Sequence, residues 1–363
     1  MTTTRAAVLR SPDKEHVIEE ITLADLRPDE VLVKIAGTGM CHTDMMARDP
    51  ALGALLTPMV FGHEGSGVVT AVGSAVTAVH PGDHVLLSFA SCGACRECLK
   101  GAPAYCENFD ALNVTGRYPD GSTGATDAQG RPVPNRWFGQ SSFAEHAIAA
   151  ERDVVVVDKD LPLELLGPLG CGIQTGAGAV LNEMRLAPGQ SLAVFGAGAV
   201  GLAAVMAAKL AGASDIVVVD LNESRLDLAK ELGATRTVLG GGEGVVEQVI
   251  DAGPGMDFSL ETTAVGKVIT DAVAVLARRG TAVLVGVGTG LLSVPPPQLA
   301  GRKVTFVLEG GAVPRVFLPQ LIRFWREGRF PFDRLVRTYP LAEINAAEAD
   351  SLSGGTIKPV LIP

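Results

Sequence analysis

The chain has 363 residues, a net charge of -10 and a hydrophobic share of 47%. This length indicates two domains with sizeable cores, and the acidic balance argues against nucleic acid as a partner. The N-terminal residues lack the apolar segment of a signal peptide, so we expect a cytoplasmic protein with reduced cysteines.

The first part of the chain, to about residue 150, has the pattern of a β-rich domain. Residues 30–41 alternate between apolar and polar positions and then reach a turn, and residues 65–76 and 82–90 predict further strands. Residues 113–140 are rich in Gly, Pro, Asp and Ser, which predicts a long loop over the surface or beside a site.

Four of the six cysteines lie close together, at positions 92, 95, 98 and 106. Disulfides are disfavoured in a reducing compartment, and a set of four thiolates forms the closed shell of a structural zinc site. The alternative is a loop of free thiols or a redox pair. The segment lacks apolar periodicity, so a metal would supply the stabilisation that packing does not. We therefore predict structural zinc here.

From about residue 171 strands alternate with helices, which indicates βαβ units and a parallel sheet. The uncharged run 191–208 is nearly long enough to span a membrane, but its glycines predict a buried strand, a tight turn and a buried helix instead. Residues 222–233 predict the next helix, with Leu226, Ala229 and Leu232 on one face.

The turn in this run has the glycine spacing of a dinucleotide-binding motif. Gly196 permits the tight turn, Gly198 lets a pyrophosphate approach the backbone, and Gly201 lets helix and strand pack closely. Asp220 ends the next predicted strand, where a carboxylate binds ribose hydroxyls and repels a 2′-phosphate. The motif predicts NAD rather than NADP, although Arg225 lies nearby; the alternative is a glycine turn without a ligand.

Cys41, His63 and Cys171 are the residue types of a catalytic zinc site, which uses three protein ligands and an open position. Their spacing alone does not pair them. His63 as a core histidine and Cys171 as a small buried apolar residue are the alternatives.

The whole chain, from about residue 5 to 362, resembles the zinc-dependent medium-chain alcohol dehydrogenases. The resemblance rests on "GHEGSGVVTAVGSAV", "CGACRECLKGAPAYC" and "VFGAGAVG", which occur in the family's order. "GMCHTD", "PLGCGIQTGAGAVLN" and "FGQSSFAEHA" are most similar to the aryl (benzyl) alcohol dehydrogenases.

The resemblance implies an α/β protein of two domains. It places a mostly β, GroES-like catalytic domain at residues 1–171, with a structural zinc lobe at about 91–107. A Rossmann domain with a doubly wound parallel sheet follows at 172–309, and residues 310–363 return to the catalytic domain. It also implies a homodimer or homotetramer, paired through the strand-rich end of the Rossmann domain.

The resemblance assigns metal-site roles. Cys41, His63 and Cys171 would hold the catalytic zinc. Glu64 would be an alternative ligand, and Asp44 would orient His63. The structural zinc ligands would be Cys92, Cys95, Cys98 and Cys106.

Further residues match positions that act on the substrate or the coenzyme. Thr43 would take the alcohol proton. The implied coenzyme contacts are Gly196, Gly198, Ala199, Val200, Gly201, Asp220, Arg225, His42, Val287 and Lys358.

The implied activity is the interconversion of primary alcohols and aldehydes, of aromatic or allylic type, by hydride transfer between a zinc-bound alkoxide and NAD. The alternatives are a thiol-adduct formaldehyde dehydrogenase or a broad aliphatic alcohol dehydrogenase of the same family. A zinc-stabilised nucleotide-binding or interaction protein would be of a different class. We expect a small alcohol or aldehyde as substrate, and neither nucleic acid nor membrane as a partner.

Met46 stands where many members of the family carry a histidine, as the outer end of a proton relay. We predict that Met46→His changes the pH dependence of turnover, because an ionisable group then ends the relay. The measurement is turnover against pH for both proteins. Identical profiles at every pH would contradict this prediction.

Overall fold

The structure is a computed structural model and describes residues 2–363. The chain forms two compact units. Two stretches that the resemblance placed with the catalytic domain, residues 310–312 and 321–332, group with the second unit. At the first of them, Asn182 of the second unit donates through Nδ2 to the Gly310 carbonyl oxygen at 3.2 Å. The first unit holds the chain up to Cys171 with Val313–Gln320 and Asp333–Pro363, and the second holds Gly172–Ala312 and Leu321–Phe332.

The described residues form seventeen strands and twelve α-helices, besides short 3-10 helices and one π-helical turn. The strands are β1 (Thr2–Leu9), β2 (Val17–Leu23), β3 (Glu30–Gly39), β4 (Met59–Val60), β5 (Glu64–Val72), β6 (His84–Leu87), β7 (Ala125–Asp127), β8 (His146–Ala150), β9 (Val154–Val157), β10 (Ser191–Phe195), β11 (Asp215–Asp220), β12 (Arg236–Leu239), β13 (Met256–Glu261), β14 (Leu276–Leu284), β15 (Lys303–Phe306), β16 (Val336–Pro340) and β17 (Lys358–Ile362). The helices are α1 (His42–Met45), α2 (Pro50–Leu56), α3 (Arg96–Leu99), α4 (Phe109–Asn113), α5 (Leu163–Leu166), α6 (Gly172–Gly178), α7 (Ala199–Ala211), α8 (Glu223–Leu232), α9 (Val245–Ile250), α10 (Gly266–Ala274), α11 (Pro314–Arg326) and α12 (Ile344–Leu352).

The first unit consists mainly of two β-sheets. One has the order β4-β1-β2-β7, and the other has the order β16-β17-β3-β5-β6-β9 with β8 also paired to β3. All pairs are antiparallel except β16 with β17. The predicted strand at 30–41 is β3, and its buried Val31, Val33 and Ile35 enter one core cluster. This alternation explains why the sequence signal was clear there.

The second unit has one six-stranded sheet, in the order β12-β11-β10-β13-β14-β15. Every neighbouring pair in it is parallel, as the strand–helix alternation predicted. The run 191–208 forms β10 and most of α7, again as predicted. Across residues 2–363 no helix has the length and apolar character needed to cross a bilayer.

The ends of two strand pairs position the residues of interest. In the first unit β3 ends at Gly39 and pairs there with Glu64, the first residue of β5. Segments distant in sequence therefore meet at this end of the sheet. In the second unit the adjacent strands β10 and β11 end together at their carboxyl ends, which is where open α/β sheets bind ligands.

We predict that Leu87→Ala lowers the free energy of unfolding by about 2–5 kcal/mol, because Leu87 is fully buried in the β3–β5–β6 core. The control is Leu352→Ala in α12, where the leucine is 61% exposed and the expected change is within about 0.5 kcal/mol. Denaturant titration measures both, and equal effects would contradict the core assignment.

Candidate functional site

Cys41 and Asp44 are held by the short helix that follows β3. Cys41 has extended backbone angles and precedes the first residue of α1. Its backbone N–H donates to Asp44 Oδ2 at 3.0 Å, three residues ahead. This reciprocal cap satisfies a helix-end donor and turns the Asp44 carboxylate back toward the end of β3.

The Asp44 carboxylate is buried and accepts three further hydrogen bonds at Oδ1. The donors are the Gly62 N–H at 3.0 Å, His63 Nδ1 at 2.8 Å and Trp137 Nε1 at 3.1 Å. Four donors compensate for the loss of hydration at this 4% exposed side chain. A carboxylate only accepts, so Nδ1 of His63 carries a proton.

This hydrogen bond decides which nitrogen of His63 is available to a ligand. His63 is completely buried, and among residues 2–363 its Nε2 has no hydrogen-bond partner. Metal-bound histidines commonly donate one ring N–H to a carboxylate and direct the other nitrogen at the ion. The buried Nε2 therefore fits a metal ligand better than a core histidine, which would bond through both nitrogens.

His63 Nε2 lies in a cluster that offers four ligand atoms. Cys41, His63, Glu64 and Cys171 each contribute one, and all of these atoms lie within 4.8 Å of one another. A hydrogen bond with Cys171 and the nearby His63 and Lys358 hold the pKa of the Cys41 thiol well below its usual value, although burial opposes this. Thiolate and imidazole are ligands that zinc prefers, so the donor set fits this metal.

Glu64 meets the cluster as one half of a buried ion pair. Lys358 Nζ lies 2.9 and 3.0 Å from the two carboxylate oxygens and donates to the Met40 carbonyl at 3.1 Å. Burial raises the pKa of Glu64, and Lys358 opposes that rise. The structure thus brings Lys358, expected among the coenzyme contacts, to the metal cluster through Glu64.

Thr43 and His42 follow Cys41 in α1. Thr43 Oγ1 lies 3.7 Å from Cys41 Sγ, so its hydroxyl is beside the cluster. Thr43 is half-buried, whereas the His42 side chain is exposed.

The second cysteine group forms a separate cluster. The sulfur atoms of Cys92, Cys95, Cys98 and Cys106 lie within 4.8 Å of one another, and none is in a disulfide. Two sulfur pairs, Cys92–Cys98 and Cys95–Cys106, are 3.9 Å apart. Four sulfurs at about 2.3 Å from a tetrahedral zinc would lie about 3.8 Å from one another, so these distances fit.

Backbone N–H groups surround these sulfur atoms. Cys95 N–H donates to Cys92 Sγ at 3.3 Å, and the N–H groups of Glu107 and Asn108 donate to Cys95 Sγ and Cys106 Sγ at 3.4 Å each. Backbone hydrogen bonds, that of Ala94 first, lower the pKa of the Cys92 thiol to about 6. Burial instead raises the pKa of Cys98 to about 12 and also raises that of Cys106. The backbone of the lobe therefore favours the thiolate at Cys92, and a bound cation would be needed to hold all four sulfurs as thiolates.

The glycine turn of the second unit lies between β10 and α7. Gly196 has φ +99°, in the region that favours glycine, and a Cβ on Gly201 would lie 1.8 Å from the Gly196 carbonyl oxygen. A Cβ on Gly198 would meet nothing within 4 Å, so the backbone faces open space at the start of α7. That space and the helix N-terminus together suit a pyrophosphate.

Asp220 ends β11 beside this turn. Its carboxylate accepts from the backbone N–H groups of Ala197 at 2.6 Å and Asn222 at 2.8 Å, which holds it at the coenzyme turn. The remaining predicted coenzyme residues of this unit are Ala199 and Val200 in the first turn of α7, half-buried Arg225 in α8, and Val287 beyond β14, which is 54% exposed.

Two family profiles match the chain. "Alcohol dehydrogenase GroES-like domain" matches residues 27–159, and "Zinc-binding dehydrogenase" matches residues 199–316. Geraniol dehydrogenase from Castellaniella defragrans is 45% identical over 364 residues, covering 99% of this chain and 97% of the relative. The chain belongs to the zinc-dependent medium-chain alcohol dehydrogenase family. The predicted family and fold class, GroES-like plus Rossmann, are confirmed.

Solved structures support the assignment of the chain to this family. A zinc-binding-domain alcohol dehydrogenase from Burkholderia ambifaria is 46% identical with a TM-score of 0.96, and benzyl alcohol dehydrogenase from Acinetobacter calcoaceticus is 41% identical with 0.94. In both cases the match covers 100% of this chain and 99% of the other. S-(hydroxymethyl)glutathione dehydrogenase from Saccharomyces cerevisiae is less similar, 34% identical over 98% of this chain and 95% of the relative.

The sequence analysis of this dehydrogenase missed the residues that surround His63. It treated residues 113–140 as a loop and used "FGQSSFAEHA" only as a mark of the subgroup. In the structure Trp137 and Phe138 are buried, and the Phe138 ring stacks on the His63 imidazole at 4.4 Å. Two adjacent aromatic residues at the end of a polar segment were the available signal.

We predict that the purified dehydrogenase contains about two zinc ions per chain. His63→Ala should remove the zinc of the Cys41 cluster and leave the lobe zinc. Cys95→Ala should remove the lobe zinc and lower the melting temperature, because the lobe has little packing of its own. Metal analysis and calorimetry measure both effects. Two zinc ions per chain in His63→Ala would contradict the role of His63.

Proposed function

We propose that this alcohol dehydrogenase oxidises aromatic or allylic primary alcohols to aldehydes with NAD⁺, and catalyses the reverse reaction. The observation that carries the proposal is the buried Nε2 of His63, which has no partner among residues 2–363 and lies beside the sulfurs of Cys41 and Cys171. This arrangement supports the roles that the resemblance implied for the metal site, which we retain as proposals.

The protein residues would hold two metals with different tasks. Cys41, His63 and Cys171 would bind the catalytic zinc, and the four lobe cysteines the structural one. A bound catalytic zinc supplies a Lewis acid that lowers the pKa of a substrate hydroxyl. Asp44 keeps a proton on His63 Nδ1 and so presents Nε2 as a ligand. Lys358 binds the carboxylate of Glu64, which limits its use as an alternative ligand.

Thr43 is the residue that we propose moves the substrate proton. Its Oγ1 is 3.7 Å from Cys41 Sγ and half-buried, so it can accept a proton from a hydroxyl at the cluster and release its own outward. With Met46 at the end of the relay, the next acceptor is water or another group.

The second unit supports NAD as the coenzyme. NAD⁺ accepts the hydride of the alcohol when bound. The first turn of α7, from Ala199, offers the backbone N–H groups that a helix N-terminus leaves without intrahelical partners, and the space beside Gly198 is open for the pyrophosphate. The Asp220 carboxylate beside it suits ribose hydroxyls and repels a 2′-phosphate. Ala199, Val200, Arg225, Val287, His42 and Lys358 remain proposed coenzyme contacts.

Two features support an aromatic or allylic substrate. Relatives that match nearly the whole chain carry the names geraniol dehydrogenase and benzyl alcohol dehydrogenase. Aromatic side chains also pack in series from the metal cluster, with Phe138 on His63 at 4.4 Å, Phe109 at 6.2 Å from Phe138, and Phe89 at 6.0 Å from Phe109. The candidate metal site thus has aromatic side chains on the side where Phe138 covers His63.

We further propose a cytoplasmic homodimer or homotetramer. Six cysteines without a disulfide suit a reducing compartment. β15 is one of the two edge strands of the parallel sheet, and its Phe306 is 46% exposed; an edge strand is a natural surface for pairing two copies.

The test of the function is NADH formation from NAD⁺ with benzyl alcohol, geraniol and ethanol at equal concentrations. We expect kcat/KM for benzyl alcohol or geraniol to exceed that for ethanol by about 100-fold or more, since even one methylene in an apolar pocket is worth 10–200-fold. Equal or better ethanol turnover would refute the substrate class. Turnover restricted to a formaldehyde–thiol adduct would favour the thiol-adduct dehydrogenase.

The variant Cys41→Ala tests the role of the metal site in this reaction. It should fold, bind NAD with unchanged affinity and show no turnover, because only a metal ligand is lost. Calorimetric titration with NAD measures the binding. Loss of NAD binding together with turnover would contradict the assignment of Cys41 as a metal ligand that does not bind the coenzyme.

A further inference from the structure

The segment from Trp137 to Ser142, "WFGQSS", is buried although it lies outside the sheets. The exposed fractions of Trp137, Phe138, Gln140 and Ser141 range from 1% to 6%, and Ser142 is fully buried. Loop segments generally run over the surface, because their backbone groups need partners. This segment is therefore held inside the protein by specific contacts.

Its backbone adopts conformations that non-glycine residues seldom take. Phe138 has φ 49° and ψ 37°, and Ser141 has φ 50°. Two hydrogen bonds fix this shape: the Trp137 N–H donates to Ser141 Oγ at 2.8 Å, and Ser141 Oγ donates to the Val60 carbonyl at 2.6 Å. Such left-handed residues persist only where the surroundings determine them, and they cluster at functional sites.

The segment makes three contacts at the candidate metal site, and each of them acts on His63 or on the carboxylate that binds it. Trp137 Nε1 donates to Asp44 Oδ1, the oxygen that accepts from His63 Nδ1. The Phe138 ring lies on the imidazole with an interplanar angle of 27°. Gln140 Nε2 donates to the His63 carbonyl oxygen at 2.9 Å.

Core packing alone does not explain these contacts. An apolar ring would fill the space at position 137 without a polar atom, whereas Trp137 places its one N–H on a carboxylate oxygen at 3.1 Å. That oxygen already accepts from His63 and Gly62, so the third donor holds the carboxylate from another direction. The stack of Phe138 then leaves the imidazole plane little freedom to rotate.

We infer that Trp137 is a positioning residue for the metal site and acts through Asp44, while Phe138 fixes the plane of the His63 ring. The inference rests on the proposed role of Cys41, His63 and Cys171 as zinc ligands. Mutation of a residue that hydrogen-bonds to a metal ligand typically lowers metal affinity or activity by about 10–100-fold. Asp44 keeps three other donors when Trp137 is lost, so we expect the lower end of this range.

The experiment compares zinc release from the holoenzyme of Trp137→Phe and wild type to a chromophoric chelator. Trp137→Phe should release the cluster zinc about 10-fold faster and keep the lobe zinc at the wild-type rate, because the lobe sulfurs bind their own backbone donors. Cobalt substituted for this zinc should show a shifted visible spectrum. Phe138→Leu, which loses the stack but keeps an apolar side chain, should show the same pattern.

The matched control is Phe61→Leu. Phe61 packs edge-on against Trp137 at 5.1 Å and is fully buried, so this variant disturbs the same core without touching the Asp44 hydrogen bond. It should keep both zinc release rates within about 2-fold of wild type.

The inference would be overturned if Trp137→Phe and Phe138→Leu released both zincs faster, or if they released the zinc at His63 at the wild-type rate. It would also be overturned if Phe61→Leu released that zinc as fast as Trp137→Phe does. Wild-type protein that binds zinc at the lobe alone would overturn the proposed function as well. Two zincs in wild type with no selective effect of the variants would overturn only the positioning role.

Discussion

The buried carboxylate of Asp44 is the constraint on which the proposed metal site depends. It accepts from Cys41, Gly62, His63 and Trp137, which belong to three segments of the chain. A buried carboxylate without such partners would be costly, and removing one partner leaves a desolvated charge. The same hydrogen bonds therefore hold these three segments together and leave His63 Nε2 available to a ligand.

The other two sites follow a related principle, in which backbone N–H groups substitute for solvent around an anion. In the lobe they surround cysteine sulfur atoms, and in the second unit they face the space beside Gly198. Each arrangement is set by local sequence: closely spaced cysteines in one case and the glycine spacing in the other. Neither needs a large core, which suits segments that must remain accessible to a metal or a coenzyme.

Local sequence signals explain what was predictable. The alternation in β3, the strand–turn–helix of β10 and α7, and the buried face of α8 at Leu226, Ala229 and Leu232 are all found as expected. Contacts between residues distant in sequence could not be predicted from the sequence pattern. Trp137 and Asp44 are 93 positions apart, and Lys358 and Glu64 are 294 apart. No periodicity encodes such contacts, and the pairing of Cys41, His63 and Cys171 required the family resemblance for the same reason.

X-ray absorption at the zinc edge of the purified protein distinguishes one four-sulfur site from a mixed site with two sulfurs and His63. With both sites filled, we expect about two zincs per chain and an average of about three sulfur and one nitrogen or oxygen neighbour per zinc. One zinc per chain with four sulfur neighbours would contradict this expectation, because His63 and the cysteines beside it would then hold no metal.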